Sequence, residues 1–254
     1  MSALRNTDFF FEVAKDKIPG HAPINIVGHD AAISTTLATI GNNLGQLHTY
    51  STLADIDSIS SDNAGDIHDI IIVGLDVNYN PVAAQTVTLN GQTRVAIPIA
   101  LFRVTVIYNA TSTATAGMLW VYVNTALTAG KPTDLTKIRK SMHRVGGSAG
   151  ADVSNEISTS SSSTIPAGKT GYIVFGKMSV SDAKALELTF WVRLEGGVFQ
   201  LVHHMDVKDN NYDYFFKLPG KAFEKSDIEV RASVGAGTAD VAVAYDIILV
   251  DNPS

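Results

Sequence analysis

Apolar and polar residues alternate with period two along much of the chain. Leu186, Leu188, Phe190, Val192 and Leu194 fall on one side of a strand, and Glu187, Thr189, Trp191 and Arg193 on the other. Ile228, Val230, Ala232 and Val234 alternate in the same way with Glu229, Arg231 and Ser233. Earlier, Phe102, Val104, Val106 and Tyr108 alternate with Arg103, Thr105 and Ile107, and Leu119, Val121 and Val123 with Trp120 and Tyr122. Ile67 to Leu75 is a dense apolar run of strand length, as expected for a buried strand. Turn signals separate the runs. Asn90-Gly91 tolerates positive φ and predicts a hairpin that returns through Arg94 to Ile97. Gly196-Gly197, Pro219-Gly220 and Gly235 to Gly237 stop later strands. About ten or eleven strands with short turns and no long helical period predict an all-β fold. An antiparallel β-sandwich, of jelly-roll type by strand count and size, fits best.

Two regions lack the pattern. Residues 1–65 are rich in Gly, Asn, Asp, Ser and Thr, and Ile18-Pro19-Gly20-His21 breaks what precedes it. Long structureless stretches are uncommon inside a domain, so the expectation is an extended irregular N-terminal arm lying on this domain or on a neighbouring subunit. Residues 66–254 then form the sandwich. Within it, residues 125–164 carry Gly146-Gly147, Gly150 and the serine run 160–163. This stretch reads as a long surface loop, with a short helix over Asp134 to His143.

Composition narrows the classes. The 254 residues are 45% hydrophobic and only 17% charged, which suggests surface covered by neighbours in an assembly. A formal charge of −6 argues against a general nucleic-acid binder, which needs a basic face to release counterions. Lys131, Lys137, Arg139, Lys140, His143 and Arg144 cluster, but no aromatics interleave with them, so they read as a solvated segment. With no cysteine, disulfides and thiolate metal sites are excluded. No apolar run reaches the ~18–20 residues of a membrane span. The opening MSALRNTDFFFEV does not have the pattern of a signal peptide.

Candidate chemistry is sparse. Gly168-Lys169-Thr170 ends like a phosphate-binding loop, but Ser163 stands where the first glycine belongs, and strand residues follow in place of a helix. A turn entering a strand is the expectation. His203 and His204 are adjacent, so they face opposite sides of a strand and cannot share an ion; His204 and Asp206 share a face. No catalytic residue, cofactor or metal ligand is assigned. Trp120, Tyr122 and Trp191 fall on the second face of their strands, as a candidate sugar-stacking or subunit-contact surface or as packing beneath a second sheet.

Three stretches together carry a family resemblance. They are Phe11-Glu12-Val13-Ala14 with Ile18-Pro19-Gly20-His21; Val73 to Pro81 leading into Thr86-Val87-Thr88-Leu89-Asn90-Gly91; and Ile165 to Tyr172 with Gly197-Val198-Phe199 and the ending Asp246 to Asn252. The combination resembles a family of virion structural proteins of tailed phages and large aquatic DNA viruses. The resemblance implies a β-rich particle component located in the virion and supplies no catalytic residues. The expected role is therefore non-enzymatic: a minor capsid, cement or decoration protein. Its expected partners are the major capsid protein or neighbouring minor proteins and its own copies, a trimer among the options, with no membrane and no specific nucleic acid. The alternative is a receptor- or glycan-binding module of a tail or fibre. A hydrolase acting through His204, Asp206 or scattered carboxylates is a third reading.

Overall fold

The computed structural model describes residues 6–41, 45–111, 113–142, 158–181, 184–208 and 211–253. In chain order these form α1 (Asn6–Ala14), β1 (His21–Ile33), β2 (Ala38–Thr39), β3 (Ile56–Ser61), β4 (Asp69–Leu75), β5 (Pro81–Thr88) and β6 (Val95–Leu101). Then come β7 (Arg103–Asn109), β8 (Leu119–Val123), β9 (Leu127–Thr128), β10 (Lys131–Pro132), a 3-10 turn (Leu135–Lys137), β11 (Ile138–Met142) and β12 (Ser163–Thr164). The last strands are β13 (Lys169–Val180), β14 (Leu186–Arg193), β15 (Gln200–Val207), β16 (Asn211–Ala222), β17 (Asp227–Val234) and β18 (Ala239–Asp251).

The strands build two sandwiches, each with its own core. In the first, sheet β1-β18-β13-β16 faces sheet β12-β17-β14-β15, and β2 also pairs with β17. Alternate residues of β14, β17 and β18, among them Leu188, Phe190, Val230, Val243, Tyr245 and Ile247, fill the space between these sheets. In the second, sheet β11-β8-β3-β6 faces sheet β5-β4-β7 around Ile59, Ile70, Ile72, Leu101, Ile107 and Val121. The chain leaves the first sandwich after β2 and returns at β12, and both of these short strands lie on β17. The second sandwich is thus an insertion within one strand position of the first. All ladders among the described residues are antiparallel, and the β1-β18 ladder joins residues more than two hundred positions apart, as in the pairing of His21 with Val250.

This architecture corrects several expectations. Residues 1–65 are not an irregular arm: α1 opens them, β1 pairs along its length with β18, and β3 is a central strand of the second sandwich. Their polar composition masks strands because β1 is half-buried and β3 reads IDSISS, with serines in enclosed positions. Residues 66–254 do not make a single sandwich. The Asn90-Gly91 turn forms, with Thr93 N donating to Asn90 O, yet the strands it joins enter different sheets. The gap between β5 and β6 is bridged by one side chain. The Gln85 amide donates to Ile99 O at 3.0 Å and accepts from Ile99 N at 2.6 Å.

Residues 125–164 are likewise not a surface loop. They hold β9, β10, the 3-10 turn, β11 and β12; residues 143–157 lie outside the described residues, as does the end of the expected helix. Where that helix was expected, the chain makes one 3-10 turn capped by Asp134 and continues as a buried strand. The serine run is buried throughout, from Ser158 to Ser163. It threads between the sandwiches as an extended segment whose backbone bonds to both. Ser158 N donates to Ile107 O and Thr159 N to Ser141 O in the second sandwich. His29 N donates to Thr159 O and Ser161 N to Ile40 O in the first. Small side chains are required here. A Cβ added at Gly28 would lie 2.7 Å from Ser161 Cβ and 3.0 Å from Ile40 O. Gly28→Ala is therefore expected to destabilise by about 1–3 kcal/mol through overpacking. Gly220→Ala, whose Cβ meets nothing nearer than 3.7 Å, should be neutral or slightly stabilising. Urea unfolding of the two variants side by side checks the contrast.

Candidate functional site

The most concentrated chemistry lies where the two sandwiches meet. Asp227, at the start of β17, is 2% exposed and takes four donors. Its Oδ1 accepts from Arg103 Nε at 2.9 Å and Thr164 Oγ1 at 2.7 Å. Its Oδ2 accepts from Arg103 Nη2 at 3.1 Å and Arg193 Nη2 at 2.5 Å. Arg103 comes from the second sandwich, and the other three residues from the first, so this pair spans the junction. Arg103 also donates through Nη1 to Ser51 O and Phe102 O. A bulge beside Gly74 sets its direction. Ladder pairing slips between Val73 and Gly74, so Val104 and Ile107 both reach the core and the strict alternation read from residues 102–108 breaks. Gly74 is held to glycine there, because a Cβ would lie 2.3 Å from Arg103 O.

Two further buried charges flank the pair. Glu229 is fully buried, accepts from Thr39 Oγ1 at 2.9 Å and is bound by the Arg231 guanidinium. Burial raises its carboxyl above the usual range, against the pull of Arg231. Lys140, 1% exposed, points from β11 at the serine segment and donates to Ser162 O at 2.5 Å and Ser160 O at 3.4 Å. Burial alone pushes its ammonium down to about 7. Tyr245 holds the same segment from the other side, its hydroxyl donating to Ser161 O at 2.6 Å, and burial raises its pKa far above the usual phenol value. Arg139 and Lys140, expected in a solvated basic cluster, are thus both interior. Arg139 donates to Ser51 Oγ and to the Thr136 carbonyl. His143 and Arg144 lie outside the described residues.

Arginines and aromatics alternate along the outer side of the β17-β14 sheet. Arg231 lies over Trp191 at 4.5 Å and Phe199 at 4.8 Å. Arg193 lies over Phe199 at 4.7 Å and Tyr50 at 4.5 Å, and Arg103 over Tyr50 at 5.1 Å and Phe102 at 4.0 Å. The row ends at an open cleft of about 320 Å³ lined by Tyr50, Tyr79, Arg103, Arg193, Glu195 and Asp227, among others. Each arginine in the row also has a carboxylate partner, Asp227 being shared by Arg103 and Arg193, so the row is a stacked and paired junction.

Neither a family model nor a curated protein matches the chain. Among solved structures, it is similar to the infectious bursal disease virus VP2 subviral particle, at 11% identity and a TM-score of 0.21, covering 93% of this chain and 77% of that one. It is also similar to a structure of the Gx strain of infectious bursal disease virus, at 10% identity and a TM-score of 0.22, covering 92% and 71%. At these scores the likeness carries no argument, and fold and role rest on the chain itself.

The structure separates the candidate residues. Trp120 and Tyr122, on β8, are 2% and 0% exposed and pack with Ile138 under Met118, Leu127 and Leu135. The β9-β10 hairpin and the 3-10 turn cover the face that sequence alone left open, so neither ring is available to a sugar or a neighbouring subunit. Trp191 is half-buried on the other sandwich, with one face under Arg231. His203 points toward Phe190, Tyr214 and Phe216, whereas His204 faces outward between Glu187 Oε1 at 3.4 Å and Asp206 Oδ1 at 3.8 Å. That trio is half-exposed on a flat sheet face. Gly168 makes the expected turn, with φ +72°, and its N–H donates to the Glu224 carboxylate at 2.6 Å. Lys169 pairs with Asp251 across the ladder. The carboxylates of Glu224 and Asp251 stand where a phosphate would sit.

Sequence reasoning missed Asp227, Glu229, Arg103, Arg193 and Lys140 as a network. One signal was present: Asp227, Glu229 and Arg231 alternate along one face of a strand, and a charged stripe of that kind on a face later covered must pair. An uncharged run of seven Ser and Thr residues from 158 to 164 is the other half of the same signal.

Proposed function

We propose that this protein is a non-enzymatic structural component of a virus particle, of the minor capsid, cement or decoration type, acting through subunit contacts. The strand order of the first sandwich carries the reading. Counting β2 and β12 as one interrupted strand, it has eight, and its ladders nest. First pairs with eighth (β1·β18), second with seventh (β12·β17), third with sixth (β13·β16) and fourth with fifth (β14·β15). Rolling such a ribbon up brings eighth beside third and seventh beside fourth, the remaining two ladders found here. That arrangement is read as a jelly roll, an architecture common in viral capsids though shared with lectins and cupins. The family resemblance of the Val73–Gly91 and Ile165–Tyr172 stretches points the same way. The buried Arg103–Asp227 pair joins two sandwiches into one building block, and the buried pairs leave their charged groups committed to structure. Mass spectrometry of gradient-purified particles is expected to find the chain in constant ratio to the shell protein. Recovery from infected-cell lysate but never from particles would overturn the reading.

A further inference from the structure

Arg139 is a buried cation that no carboxylate among the described residues pairs with. It is 7% exposed, and its guanidinium meets only neutral acceptors. Nε donates to Ser51 Oγ at 2.7 Å, and Nη1 to the carbonyls of Thr136 at 2.6 Å and Ile138 at 3.3 Å. The two N–H groups of Nη2 have no acceptor among the described residues. Asp55 and Asp134 attract the charge only from farther off. Buried charges are ordinarily paired. Lys140, the neighbouring interior cation, is relieved by losing its proton near neutral pH. An arginine has no such relief, because its guanidinium keeps its proton.

A small cavity lies against this group. Its volume is about 10 Å³, and Arg139, Arg103, Ser51, His48, Ser163 and Phe102 are among the residues that line it. Room of that order holds one water or one ion of similar size. Two hydroxyls of these residues lack acceptors. Ser163, 3% exposed, makes no hydrogen bond through Oγ. Ser51 Oγ accepts from Arg139 Nε, and its own hydrogen meets no acceptor among the described residues. The charge around the cavity is positive. Arg103 and Arg193 share the single carboxylate of Asp227, and Arg139 adds a third guanidinium. His48 is held well below the usual histidine range, by burial first and then by Arg139, Lys140, Arg103 and Arg193. A water molecule would fill the space and leave this charge unmatched. An anion accepts from the same donors and offsets the charge. Tyr50, Ser51, Phe102 and Arg103 also line the open cleft of about 320 Å³, which gives an ion a way in.

We propose that this cavity binds one monatomic anion, a halide such as chloride, held by Arg139 Nη2 and the hydroxyls of Ser163 and Ser51. The ion links β11 of the second sandwich to β12 of the first, beside the Arg103–Asp227 pair. Polyatomic anions such as phosphate exceed the space. The site does not depend on the reading of the chain as a particle component, and its test uses the isolated protein.

Thermal unfolding of the purified full chain is compared in sodium bromide, chloride and gluconate at one ionic strength. Tm is expected to be higher in the two halides by about 2 °C or more, since an ion held only by the folded state stabilises it. Arg139→Gln and Ser163→Ala should each lose most of that difference. Ile67→Asp, at an exposed position of the second sandwich, should keep it, because general salt effects act on all these chains alike. Ser163→Ala, which removes one oxygen, carries the test if Arg139→Gln fails to fold. Crystals grown in bromide should show an anomalous peak beside Arg139 Nη2 and Ser163 Oγ. A Tm that follows ionic strength alone overturns the proposal. So does a water in place of the anomalous peak, or a crystal structure in which Asp55 pairs with Arg139. A peak that appears only at molar bromide marks an adventitious ion and overturns it as well.

Discussion

Replacing Asp227 with alanine is expected to destabilise the protein by about 3–5 kcal/mol, the usual consequence of leaving a buried cation without its partner. Arg103 has only 7% of its side chain exposed and would keep just the Ser51 and Phe102 carbonyls. Arg193 and Thr164 would lose their acceptor as well. In a chain of this length the loss should lower Tm by on the order of 10 °C. Because Arg103 and Asp227 come from different sandwiches, proteolysis near the junction should also accelerate. The paired variant separates charge from shape. Arg103→Met with Asp227→Ala removes both charges, and it should recover a substantial part of the loss, since desolvating an ion pair offsets much of its attraction. If Asp227→Ala shifts stability by less than about 1 kcal/mol, the pair does not hold the sandwiches together.

The second large effect is a pH dependence centred on Lys140. In the folded protein its ammonium is pushed down to about 7; in the unfolded chain it titrates near the ordinary lysine value of about 10.4. Between these limits the unfolded state binds the extra proton, so stability rises with pH, by at most about 1.4 kcal/mol per unit. Well below pH 7 both states carry the proton, and the folded one carries it buried. Urea unfolding is therefore expected to show the wild type gaining roughly 2–3 kcal/mol from pH 7 to pH 9. Other groups titrate in the same solutions, so the comparison is with Lys140→Met, which keeps the bulk and loses the charge. The variant should lack this slope, so that wild-type stability measured relative to the variant should rise from pH 7 to pH 9. Parallel curves would place the Lys140 proton elsewhere and end the argument. Above pH 10, the buried tyrosines Tyr50 and Tyr245, both raised by burial, reverse the trend, because the unfolded chain releases their protons first.

Both predictions concern a network that local patterns did not reveal. Arg103 looked like the outward member of an alternating strand, and Arg139 and Lys140 looked like part of a basic loop. Each belongs to the inserted second sandwich and is interior because the first sandwich, the serine segment or the chain around Ser51 covers it. The serine run from 158 to 163 misled for the same reason. Small polar residues suit an exposed loop, but they equally suit a narrow polar gap where the amides of Ser158, Thr159 and Ser161 find carbonyls and Gly28 allows close approach. Trp120 and Tyr122 followed the correct face of β8, and only the short β9-β10 hairpin shows that this face is covered.

The sequence by itself determined the class of structure. Period-two alternation in β14 and β17 and the turns at Asn90-Gly91, Gly168 and Gly196-Gly197 follow from backbone geometry and local sterics, which a short window of residues expresses. It also determined that His203 and His204 face opposite ways and that Gly168-Lys169-Thr170 enters a strand. Only the tertiary structure decided that there are two cores, that residues 21–33 pair with 239–251, and that the charges at 103, 227 and 229 lie inside. Those outcomes depend on which strands meet across more than a hundred residues. An antiparallel ladder is held by backbone groups that every residue carries, so the sequence marks a strand far more clearly than its partner.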